Sequence, residues 1–247
     1  MNSLIKNSTP PRVRLVDFDN CLFRSRVCYE KIGTLCTRYM AKRLKVPEQV
    51  AYDLNRSLLP ECGHTSLIVS RLKNRKNHIY ESVMARSVDE LDQMNDFVYT
   101  QNNMMSCLKY VEDSEWNTLK RRIEGLDRLA ETDKVYIYTD APSVWVNTIL
   151  DKGRIRHKFP IVVLSSSDAG VGVKAESVEI KRVCKVIEKD VISDSLVRFY
   201  DDSPVNIKSA MNNSSWKCIL VSNKIEYNIS TVSPRLRVIK TLDDFLE

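Results

Sequence analysis

The stretch Val13-Arg14-Leu15-Val16-Asp17-Phe18-Asp19-Asn20-Cys21-Leu22-Phe23 constrains this chain more than any other. A short β-prone run ends in two carboxylates one residue apart, followed by Asn and a second apolar cluster. Desolvating a carboxylate at the end of a buried strand costs several kcal/mol unless a cation or hydrogen bonds offset it. A lone D-x-D is more often a helix cap beside a solvated acid, since Asp is common in strand-to-helix turns. Complementary groups at other strand ends shift that balance towards a metal site.

Those groups emerge from the order of elements. From Ser25 to Leu44, Val27, Ile32, Leu35, Cys36, Tyr39, Met40 and Leu44 recur at helical spacing. Pro47 opens a second helix, which Pro60-Glu61-Cys62-Gly63-His64 is expected to break, and Thr65 to Lys73 offers a third. Residues 79–110 show no clean period and read as helical pieces and loops. Ser114 is the expected N-cap of a helix carrying Trp116, Leu119, Ile123, Leu126 and Leu129.

Beyond residue 130 the pattern becomes strand and helix alternation. Strands are expected at Val135–Tyr138, Ile161–Leu164, Leu196–Tyr200 and Lys217–Val221, with helices from Pro142 to Leu150, from Glu176 to about Ile192, after Ser203-Pro204 and from Thr241. Such alternation predicts a mostly parallel sheet with helices on both faces. Ligands of such sheets bind outside the carboxyl ends of the strands. Asp17, Asp19, Thr139, Lys174, Asp201 and Asp202 all fall at or just beyond those ends.

Oxygen-only ligation suits Mg²⁺, which keeps several waters and takes phosphate oxygens to complete its octahedron. Four carboxylates cannot crowd together ionised without a cation, because each raises the pKa of the others. A phosphoryl group held by a metal, a hydroxyl and an ammonium is the chemistry this set can serve.

These four stretches, Asp17-Phe18-Asp19, Thr139, Lys174 and Asp201-Asp202, resemble the four motifs of the haloacid dehalogenase (HAD) superfamily, in the same order. The segments D-F-D-N-C-L-F and Y-D-D-S-P-V-N-I are most similar to the pyrimidine 5′-nucleotidase-like branch. The resemblance implies an α/β fold with a three-layer Rossmann-like core and a helical cap inserted after the first strand. Residues 12–23 and 131–247 would form the core, 24–130 the cap, and 1–11 a flexible tail. It implies a phosphomonoester hydrolase in which Asp17 attacks phosphorus and Asp19 is the general acid and base. Thr139, Asp140 and Lys174 would bind the phosphate, with Lys181 a rival for Lys174. Asp17, Asp19 through its carbonyl, Asp201 and Asp202 would hold Mg²⁺, with Asn20, Ser203 and Asn206 in support. Asp140 departs from the Asn common in relatives, and Ala175 from the frequent Pro.

The substrate implied first is a nucleoside 5′-monophosphate. The rival readings are a phosphoprotein phosphatase, as proposed for HAD-like proteins associated with nucleocapsids of large insect DNA viruses, and a scaffold with little turnover. Net charge is +6, with 12 Lys/Arg against 4 Asp/Glu over residues 24–78 and 6 against 10 over residues 79–130, which favours anionic substrates or partners. The basic run Arg71 to Lys76 reads as a solvated helix end, so nucleic acid is not an expected ligand. Tyr136, Tyr138 and Trp145 read as packing, and His64, His78 and His157 as solvent-facing.

With 247 residues and 43% hydrophobic content, the chain has material for one substantial core and a smaller lobe. Its seven cysteines are an odd number without a C-x-x-C pair, which favours reduced buried thiols over a zinc site. No apolar run approaches the ~20 residues that span a bilayer, and the first residues lack a signal-peptide core. The expectation is a soluble protein of a reducing compartment, cytoplasm or nucleus, without a membrane partner.

Overall fold

A computed structural model describes residues 12–77, 83–100, 102–155, 162–165, 173–188, 193, 196–222 and 233–246. The expected tail at 1–11, His78 and His157 lie outside the described residues.

Six strands form one sheet: β1 (Val13–Val16), β2 (Lys134–Thr139), β3 (Val162–Ser165), β4 (Val197–Asp201), β5 (Lys217–Val221) and β6 (Leu236–Ile239). Their order is β3-β2-β1-β4-β5-β6, and every pairing is parallel. Alternation along the strands divides the core in two. Val13, Leu15, Tyr136, Tyr138, Val197, Phe199, Cys218 and Leu220 face one side, packed with helices α8 (Ser177–Ile187) and α9 (Pro204–Asn213). Val16, Val135, Ile137, Tyr200, Ile219 and Val221 face the other, with α6 (Asp113–Leu129) and α7 (Ser143–Lys152). The result is the three-layer α/β arrangement, its sheet covered on both faces as parallel strands require.

Between β1 and β2 run α1 (Arg26–Leu44), α2 (Glu48–Cys62), α3 (Thr65–Asn77), α4 (Val83–Val98), the short α5 (Met104–Cys107), a 3-10 turn at Leu108–Tyr110, and α6. Helix α6 is tied to the sheet layer. Arg122, 3% exposed, donates to the carbonyls of Cys21 and Leu22, both at 3.0 Å, and pairs at 2.7 Å with Asp243 in α10 (Asp243–Leu246). The buried Leu35, Met40, Ile68, Leu91 and Met104 of the other helices continue the same apolar cluster. Among the described residues, no helix is long and apolar enough to cross a membrane.

Three local expectations need correction. Pro60 does not break α2, which runs to Cys62 and ends at Gly63 in the left-handed region (φ 77°), where the Gly63 N–H donates to the carbonyl of Leu59 at 2.8 Å. Pro60 sits in the last turn, where Arg56, Leu59 and Pro60 itself are solvent-exposed and a missing N–H costs little. Helix α6 starts earlier than Ser114, with Glu112 as N-cap and a reciprocal capping box to Glu115; carboxylates at both positions also meet the positive end of the helix. Strand β6 lies outside the strands that the sequence pattern predicts.

Candidate active site

Strand β1 is central, and the chain moves from it to β2 and β3 on one side and to β4, β5 and β6 on the other. The switch point therefore lies between β1 and β4, where a parallel α/β sheet opens a crevice at its carboxyl ends. Asp17 follows β1 immediately, and its N–H donates to the Tyr200 carbonyl of β4 at 2.9 Å. Asp201 ends β4, so the two carboxylates are neighbours by construction.

The loop after β1 turns tightly. The Leu22 N–H reaches the Asp17 carbonyl, Phe23 N–H the Phe18 carbonyl, and Asn20 N–H the Phe23 carbonyl. Asn20 adopts φ 60°, a conformation that Asn tolerates better than most residues. Its contribution is thus to the tight turn that pairs Asp19 with Phe23.

Lys174 reaches the switch point from the turn before α8. It is 2% exposed, and its ammonium donates to Asp17 Oδ1, to Asp201 Oδ2 at 2.7 Å and to the Tyr138 carbonyl at 3.2 Å. Lys181 is exposed on α8, so Lys174 is the one that the fold places here. Thr139 ends β2, 1% exposed, its hydroxyl accepting from the Ala141 N–H at 3.1 Å.

Asp201 is wholly buried. It accepts from the Ser203 N–H at 2.8 Å and from the Asn206 side-chain amide at 3.2 Å. Ser203 also caps α9, accepting from the Asn206 N–H at 3.4 Å. Both residues expected in support therefore hold the last motif's loop.

Asp140 turns its carboxylate aside, accepting from the Lys174 N–H at 2.9 Å. It thereby fixes the loop that presents the lysine. His64 is half-buried rather than solvent-facing, 2.8 Å from the Ser66 hydroxyl, with its pKa lowered chiefly by desolvation. Gly63 beside it comes so close to the site's rim that a Cβ there would lie 2.9 Å from Val205 and 3.0 Å from Ala175.

Oxygens of Asp17, Asp201 and Asp202 lie within 4.8 Å of one another. Burial pushes Asp17 well above the usual carboxylate range, and Asp201 and Asp202 add to the rise against the pull of Lys174. Burial, then Asp201, pushes Asp202 up to about 7; burial also raises Asp201. Asp19 is raised by burial to about 6, with a hydrogen bond from Trp145 and the charge of Lys174 pulling it back. Burial opposes the Lys174 charge, but Asp17 and Asp201 more than restore it. The Lys174 ammonium bonds two of the three clustered acids, Asp17 and Asp201, and the donor set is oxygen only. These residues fit a hard divalent cation.

Trp145 has a polar role at the site that the sequence pattern does not announce. It was expected to pack, and it does, but its indole N–H also donates to Asp19 Oδ1 at 3.0 Å. The available signal was its position six residues after Thr139, in the first turn of a helix that starts at the site's edge.

No family model matches the chain, and no curated protein does. Solved structures do. The HAD-hydrolase YfnB from Bacillus subtilis, in a structure bound to magnesium, is 15% identical over 96% of this chain and 97% of its own, with TM-score 0.48. The 2-haloacid dehalogenase of Pseudomonas syringae pv. Tomato DC3000 is 15% identical over 95% and 96%, with TM-score 0.49. The L-2-haloacid dehalogenase of Xanthobacter autotrophicus is 12% identical over 96% and 97%, with TM-score 0.49. Asp17 and Asp201 lie adjacent at the switch point of a parallel α/β sheet, with a helical insert leaving β1.

Proposed function

We propose that the chain is a Mg²⁺-dependent phosphomonoester hydrolase of the HAD type that works through an aspartyl-phosphate. The observation that carries this reading is the juxtaposition of Asp17, Asp201 and Asp202 around a single buried ammonium, Lys174. Asp17, Asp201 and Asp202, with the Asp19 carbonyl, would hold the cation. When bound, it would neutralise charge on the acids and on the phosphoryl oxygens.

Asp17 attacks phosphorus while Asp19 donates a proton to the departing oxygen. Asp19 then takes a proton from the water that cleaves the aspartyl-phosphate. Lys174 orients Asp17 and offsets the charge that builds on the phosphoryl oxygens, and the Thr139 hydroxyl donates to one of them. Asp140 serves by fixing the Lys174 loop. Residues 24–130 form the cap in this reading, with α6 as its docked, core-side helix.

An aspartate nucleophile can also displace a halide from carbon. Asp19 favours the phosphoryl chemistry, because an alkoxide leaving group needs a proton and a halide does not. The branch resemblance makes a nucleoside 5′-monophosphate the first substrate to try. The test is phosphate release with Mg²⁺ from nucleotides, sugar phosphates and phosphopeptides, beside Asp17→Asn. Activity needing both Mg²⁺ and Asp17 is expected, and the preferred panel member separates small-molecule from phosphoprotein turnover. A folded wild-type protein inert on the whole panel contradicts the reading.

A further inference from the structure

We infer that Trp145 is a positioning residue for Asp19, its indole N–H fixing one carboxyl oxygen so that the other exchanges the proton with the leaving group. The inference rests on the phosphomonoesterase reading above. A terminal carboxyl torsion is broad and nearly two-fold, so an unrestrained Asp19 would present either oxygen. The indole N–H is a donor only. Its bond to Oδ1 at 3.0 Å makes that oxygen an acceptor in both protonation states and leaves Oδ2 to carry the proton.

The indole is itself held in place. It is 0% exposed, with Phe23 edge-on at 6.5 Å and Tyr99 tilted against it at 5.4 Å. Its backbone N–H donates to the Pro142 carbonyl at 2.9 Å, in the first turn of α7. Tyr99 follows α4, so the helical insert braces the side chain that aims the acid. Packing alone requires a large ring at position 145; it does not require the ring's single polar atom to meet a carboxylate beside the nucleophile.

In the first half-reaction an Asp17 oxygen bonds to phosphorus and the ester P–O bond breaks. Its electron pair stays on the leaving oxygen, which takes the proton from Asp19 Oδ2. In the second, a water oxygen bonds to phosphorus, its proton passes to Asp19 Oδ2, and the electron pair of the breaking P–O bond returns to Asp17. Trp145 exchanges nothing in either half.

The test is Trp145→Phe, which keeps an aromatic ring and removes the N–H. Wild type and variant are compared on dinitrophenyl, phenyl and alkyl phosphates with Mg²⁺. A dinitrophenolate departs without a proton, whereas an alkoxide needs one. We expect kcat/KM to fall roughly 10- to 100-fold on the alkyl ester and by less than about threefold on the dinitrophenyl ester. An equal loss on both overturns the inference, since a merely structural defect lowers every substrate alike. A second readout stands apart from turnover: the ¹H–¹⁵N resonance of the Trp145 indole, assigned by its absence in Trp145→Phe, should move in Asp19→Ala. An unmoved resonance overturns the contact. Wild type inert on all three esters sinks the phosphatase reading and this role with it; a uniform loss in an active enzyme sinks the role alone.

Discussion

Among the buried charge clusters of the described residues, the one in the helical insert and the one at the sheet edge are balanced in opposite ways. In the insert, Glu90 is 4% exposed and accepts from Arg43 at 2.7 Å, Lys73 at 2.8 Å and the Tyr39 hydroxyl at 2.6 Å. Burial would raise its carboxyl, but those hydrogen bonds outweigh burial and hold it down to about 2. At the sheet edge the ratio of charges is reversed: the Lys174 ammonium faces Asp17 and Asp201, with Asp202 beside them, while the further donors to Asp201, from Ser203 and Asn206, are neutral. A carboxylate with more than enough donors joins α1, α3 and α4. Carboxylates that outnumber their charged partners make a site with excess negative charge, which a bound cation would offset before an anionic phosphoryl group enters.

The largest expected effect breaks the under-compensated cluster. Asp17→Asn should lower phosphate release on the order of 10³-fold or more, because it removes the nucleophile while keeping the shape. Steady-state assays check this, and a variant with near-native turnover would remove Asp17 from the chemistry. Lys174→Met should cost about 10²- to 10³-fold in kcat/KM, as loss of preorganised charge does elsewhere. If instead it matches wild type, the sheet-edge cluster has no need of this ammonium.

A smaller effect separates the clusters by their response to metal. Mg²⁺ at about 100 times its Kd should stabilise the fold by ~2.7 kcal/mol, roughly 5–10 °C in Tm for a chain of this size. Asp201→Asn should lose most of that shift, and Glu90→Gln should keep all of it. Thermal melts with and without Mg²⁺ read both, and a shift retained in Asp201→Asn would place the ion elsewhere.

Least affected is the satisfied cluster. Glu90→Gln should destabilise by about 1–2 kcal/mol, because Arg43 and Lys73 keep access to water when their partner is neutralised. The folded carboxyl at about 2 lies below its ordinary 4.5. Its stabilisation is therefore complete above that ordinary value and is lost as pH falls through 4.5 towards about 2. Denaturation of wild type and Glu90→Gln should differ at about pH 6 and converge towards about pH 2; a gap that holds in acid contradicts the assignment.

The unequal legibility of the chain follows from the same physics. Strand ends carrying acids, a hydroxyl and a lysine were visible because charge at the end of an apolar run is itself anomalous, so Asp17, Asp19, Thr139, Lys174, Asp201 and Asp202 could be singled out. Helix periodicity showed α1 and α2, while Pro60 misled because a last-turn proline costs little at an exposed helix end. Strand β6 is four residues with partly exposed, mixed side chains and no clean alternation. Trp145 hid a polar contact inside a residue that also packs, and the turned carboxylate of Asp140 depends on a backbone N–H 34 positions away. Neither contact has a local signature, since each is made by tertiary placement.

The most direct test of the account is acid-quenched trapping of the phosphorylated protein during turnover, followed by peptide mapping. Phosphate on the peptide that contains Asp17, formed only with Mg²⁺ and absent in Asp17→Asn, is the predicted result. Turnover without any phosphate on Asp17, or label on a different residue, would contradict it.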